Sequence, residues 1–64
     1  MTREEKIAWL RAADTDVLLR QYEASVRRAD KAWAIVEHDK RYTLEEIFED
    51  LEIAKAEVMR RMTK

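Results

Sequence analysis

Cysteine, glycine and proline are all missing from this 64-residue chain. Without cysteine no disulfide can brace a domain of this size, and no thiolate can hold a metal or act as a nucleophile. Without glycine there is no phosphate-cradling loop, and without glycine or proline nothing punctuates strands into tight hairpins. Histidine occurs once, at His38, with Ala34, Ile35, Arg41 and Tyr42 at helical spacing around it, none of them a metal partner. Ser25 has no histidine near it in sequence. Catalysis is therefore not expected, and no catalytic residue, metal ligand or cofactor is assigned. Charge of one sign is also lacking: 13 basic and 14 acidic residues leave a net charge of −1, without the positive excess of a nucleic-acid binder. No apolar run approaches the ~18 residues of a membrane span, and the start of the chain lacks the apolar core of a secretory signal. A membrane partner is not expected, and the expected location is the cytoplasm.

What is present is charge, at 42% of residues, in a background of Ala, Leu, Glu, Lys and Arg. That composition favours helix throughout, and the chain reads as a single all-α domain over residues 1–64. Thr2-Arg3-Glu4-Glu5 has the form of a capping box, opening a helix over about 3–13 in which Ile7, Leu10 and Ala13 share a face beside Trp9. Ala13-Asp14-Thr15-Asp16 breaks it, with Asp14 or Thr15 capping a second helix over about 16–40. Thr43-Leu44-Glu45-Glu46 is a second box, opening a third helix over about 44–62.

Leu19, Tyr22, Val26, Ala29, Trp33 and Val36 follow one another at steps of three and four, and so do Leu44, Ile47, Leu51, Ala54 and Val58. Two such stripes facing each other make an antiparallel helical hairpin, and the short first helix makes it a three-helix unit. Pairing the stripes antiparallel sets Trp33 near Ile47 and Leu51, so Trp33→Ala is expected to be the most damaging single change, on the order of 3–5 kcal/mol.

A core this small leaves little stability to spare, and a second subunit is the remaining way to bury more apolar surface. Ala32, Ile35, Phe48, Ile53, Met59 and Met62 lie beside or behind the stripes and imply a second apolar surface, with Trp9 as a further anchor. A homodimer, or binding to another protein, is expected there. Glu45, Glu49 and Glu52 share one helix face; they supply too few oxygens to enclose a hard cation, and could instead dock on a basic partner. Arg27, Arg28 and Lys31, with Arg60, Arg61 and Lys64, form two basic clusters. The Glu23-to-Arg27 and Glu57-to-Arg61 spacings favour ion pairing along the helices over phosphate binding.

The segments Asp16 to Glu23 and Glu52 to Met62, behind the Met-Thr-Arg-Glu-Glu-Lys start, resemble the short helical proteins of phages and mobile elements of Gram-positive bacteria. The resemblance implies binding to a host protein, as an inhibitor of a defence system or a regulator of a host enzyme, in the host cytoplasm. The function expected is a small non-enzymatic protein-binding module acting through Ile35, Phe48 and Met59 or through the acidic face. The alternatives are a self-associating structural subunit and a small nucleic-acid-binding regulator.

Overall fold

The computed structural model describes residues 2–63, so Lys64 of the second basic cluster lies outside them. Among the described residues the structure is entirely helical and without strands: α1 spans Arg3–Ala12, α2 Thr15–Asp30, α3 Ala32–His38 and α4 Leu44–Met62. The most extensive packing is between α2 and α4, with α1 and α3 each resting on α4.

The helix starts follow from local chemistry. Thr2 Oγ1 accepts from the Glu5 N–H and Glu5 Oε1 accepts from the Thr2 N–H, both at 3.1 Å, so the first box forms in both directions. Asp14 is the N-cap of α2 in an extended conformation, placing a carboxylate at the positive end of the helix. Thr43 Oγ1 accepts from the Glu46 N–H at 3.2 Å to open α4. The α3–α4 turn forms without glycine because Asp39 organises it: its carboxylate accepts from the Arg41 backbone N–H and guanidinium, and its carbonyl accepts from the Tyr42 N–H. The Arg41 hydrogen bonds hold the Asp39 carboxyl below its usual range.

Two expectations are corrected. The helix expected over 16–40 is interrupted, giving four helices where three were expected. Lys31 leaves helical geometry at φ −113° and ψ 22°, its N–H divided between the carbonyls of Arg27 and Arg28, and the ladder restarts with the Ile35 N–H on the Lys31 carbonyl. The interruption accompanies burial of Ala32 and contact between α3 and α4.

The second correction concerns which side of α2 and α3 faces inward. The buried row is Leu18, Ser25 and Ala32, not Leu19, Val26 and Trp33. Leu18 is 1% exposed, whereas its neighbour Leu19 is 48% exposed and Trp33 76%. One residue is about 100° of rotation, so a shift of one position turns a row from core to solvent. The physical reason is size. Ser25 and Ala32 are small side chains buried where α2 and α3 meet α4, and small residues allow close approach, where Trp33 in the same row would hold the helices apart.

The α4 stripe does face inward, with Ile47 and Ala54 buried and Leu44, Leu51 and Val58 half-buried. Leu10, Leu18, Ile53 and Ala54 form the core cluster, with Ile7, Tyr22 and Val58 against it. Because Leu10 of α1 packs into that cluster, Ile53 belongs to the interior. Ala32 is buried as well, and neither residue is available to a partner in the way the sequence suggested.

Candidate protein-interaction face

Besides Trp9 on α1, six large apolar side chains are exposed: Leu19 and Val26 on α2, Trp33 on α3, and Phe48, Met59 and Met62 on α4. Helical spacing gathers those of α2 and α4 on one side, and Trp33 follows Val26 by seven residues across the break at Lys31. Gln21 and Arg28 of α2 and Asp50 of α4 line a groove toward α1. Leu19 and Val26 are each two residues from those α2 positions, and Phe48 is two from Asp50, about 200° round the helix. Met59 is likewise two residues from buried Glu57, which faces α1 through Arg11. The α2/α4 layer therefore has α1 on one face and exposed apolar residues on the other. Tyr22, Ala29, Leu51 and Val58, all half-buried, lie between the two rows.

Of the residues expected to meet a partner, Phe48 and Met59 are on this face and exposed, and Ile35 is half-buried on α3. Glu45 and Glu52 are exposed, Glu52 also lining a second groove between α4 and α1 with Arg3, Arg11 and Arg60, while Glu49 is half-buried. Trp9 is exposed elsewhere, forming a wall of the α1-side groove. That groove encloses about 320 Å³ over a floor that includes Leu10, Ile53 and Ala54. Lys6 bridges it, its Nζ 2.7 Å from Asp50 Oδ1, and this hydrogen bond raises the Lys6 pKa. Leu19, Val26 and Trp33 were not expected at the surface. The signal that could have placed them there is the acidic residue three positions before each: Asp16, Glu23 and Asp30.

A polar cluster holds the opposite end of the molecule together. Glu57, 6% exposed, accepts from Arg60 Nε at 2.9 Å, Arg60 Nη2 at 2.6 Å and Arg61 Nε at 2.9 Å. Arg11 Nε lies 3.9 Å away. The expected Glu57–Arg61 pair is thus present but largely buried. Hydrogen bonds from Arg60, and then from Arg61, outweigh burial and bring the Glu57 pKa from 4.5 to about 2.

A carboxyl whose pKa is lowered by folding contributes stability above its unfolded value and loses it as pH falls through the folded one. The thermal midpoint should therefore fall between about pH 4.5 and pH 2, and Glu57→Gln should be less stable near neutral pH while losing less over that interval. Parallel pH profiles for the two proteins would remove Glu57 from this role.

Among the described residues no group of three or more His, Asp or Glu side chains is placed to hold a metal ion. No described helix is long and apolar enough to cross a membrane. Comparison of the chain with models of known families, with curated proteins and with solved structures finds no match.

Proposed function

We propose that this chain is a small non-enzymatic protein-binding module, whose α2 and α4 form an antiparallel hairpin holding α1 on one face and a partner on the other. The observation that supports this most is the set of large apolar side chains left exposed opposite α1. Large apolar side chains gathered on one side are a mark of an interaction surface, whereas singly scattered ones are ordinary. The likeness to phage and mobile-element proteins makes a host protein, met in the host cytoplasm, the favoured class of partner. Self-association is the second reading, favoured by the small size of the core.

The test compares the wild-type chain with the double variant Trp33→Ser, Phe48→Ser. The variant is expected to melt within a few degrees of the wild type, because both side chains are exposed, and to lose whatever the wild type binds. Partner capture followed by sedimentation of the isolated chain reads both possibilities. A variant that keeps the same partner, or the same self-association, would remove this face from the function.

A further inference from the structure

Acidic side chains recur at helical spacing beside the exposed apolar residues. Leu19 has Asp16 three residues before it and Glu23 four residues after. Val26 has Glu23 and Asp30 at the same offsets, Trp33 has Asp30 and Glu37, and Phe48 has Glu45 and Glu52. Positions three before and four after share a helix face with the residue between them. Within α2 an acidic row at 16, 23 and 30 therefore runs beside Leu19 and Val26, and the seven-residue spacing is continued in sequence by Trp33 and Glu37 on α3, beyond the break at Lys31.

Asp16 and Glu23 pair with Arg20 and Arg27. Asp30, Glu37, Glu45 and Glu52 form no ion pair among the described residues, and all four are exposed. Lys40 and Lys55, seven residues after Trp33 and Phe48, are exposed cations in the apolar registers, and Arg20 and Arg27 beside the α2 row are taken up by Asp16 and Glu23.

Resting on the reading of this face as a binding surface, we propose that its occupant is a helix of a different protein, with an apolar seam flanked by Lys and Arg. The seven-residue repeat asks for a partner of the same period. Leu19 to Val26 spans about 10 Å at 1.5 Å per residue within α2, and Trp33 follows seven residues later on α3, so three successive anchors are offered to a docked helix. Charges beside an apolar seam set partner choice more than affinity. A second copy laid on this face would bring acidic rows toward each other, and phosphates would meet the same repulsion.

The test uses two synthetic amphipathic peptides of about 20 residues with one shared Leu seam, flanked by Lys and Arg in the first and by Glu in the second. In a Trp9→Phe background, Trp33 is the reporter. The basic peptide is expected to shift Trp33 emission to the blue and to bind at least about tenfold more tightly than the acidic one at low ionic strength, the preference fading with added salt. The variant Asp30→Asn, Glu37→Gln, Glu45→Gln, Glu52→Gln should lose most of that preference. Equal binding of both peptides, tighter binding of the acidic one, or a second copy occupying the face would overturn the charge selection and leave the face as a binding surface. If neither peptide binds and the chain does not self-associate, the binding surface itself is overturned.

Discussion

Leu18→Ala is expected to destabilise the chain by about 3 kcal/mol, while Trp33→Ala changes stability by about 0.5 kcal/mol or less. Leu18 is almost wholly buried in the cluster with Leu10, Ile53 and Ala54, where α1, α2 and α4 meet. Truncating it forfeits the transfer free energy of the removed carbons and leaves a cavity that three separate helices line and cannot all collapse into. Trp33 leaves most of its surface in water, so removing it takes away little packing. In a domain this small, about 3 kcal/mol is a large share of the total, equivalent to roughly 15 °C in the thermal midpoint. Urea denaturation of the two variants measures the difference. Equal losses, or a larger loss for Trp33→Ala, would mean that α2 and α3 present their other side to α4.

Arg61→Met should cost about 2–3 kcal/mol and loosen α1 before the rest of the molecule. Arg61 Nη2 donates to the carbonyls of Leu10, Arg11 and Ala13, at 3.0, 3.3 and 2.7 Å. Its Nη1 donates to Thr15 Oγ1 at 3.1 Å, and its Nε to Glu57 Oε2 at 2.9 Å. One guanidinium thus satisfies the open carbonyls at the end of α1, meets the first residue of α2, and is anchored on α4. Methionine keeps much of the aliphatic bulk and removes every donor. Arg61→Lys should recover less than half of the loss, since a single ammonium lacks the planar fork that spans these acceptors. Hydrogen exchange in α1 should accelerate more than in α4. Uniform acceleration, or full rescue by lysine, would contradict the capping role.

Much of the local structure was legible in the sequence because it depends on neighbours. Thr2 with Glu5 and Thr43 with Glu46 mark helix starts through side-chain hydrogen bonds a few residues away, and Asp14 marks the start of α2 by its charge at the helix's positive end without a capping hydrogen bond. The break at Lys31 was not legible: lysine is a good helix former, and neither glycine nor proline stands beside it. It depends on how the following turn packs on α4, which is a long-range matter.

The phase of α2 was obscured by its own composition. Leu18 and Leu19 are adjacent, so either can begin a seven-residue row, and the row with the larger side chains looked like the core. The structure buries the row with the smaller ones, because α2 and α4 have to approach closely while α1 takes one side of α4. The acidic row beside Leu19, Val26 and Trp33 was the available sign that this side faces water. For the binding residues, Phe48 and Met59 were legible as lying outside the α4 stripe, whereas Ile53 looked the same until α1 was placed over it. Glu57 was legible as an ion-pair partner of Arg61, but its burial depends on the end of α1 being brought beside it.

The absence of cysteine makes the orientation of α2 directly measurable, since each introduced thiol is the chain's sole one. Ser25→Cys, Val26→Cys, Ala32→Cys and Trp33→Cys place thiols on neighbouring positions of the two competing rows, and maleimide labelling of dilute, folded protein reads their access to solvent. Thiols at 26 and 33 are expected to react close to the rate of a free peptide, and those at 25 and 32 about a hundredfold more slowly. Fast labelling at 25 and 32 with protection at 26 and 33 would contradict both the packing of the core and the exposed face built on it.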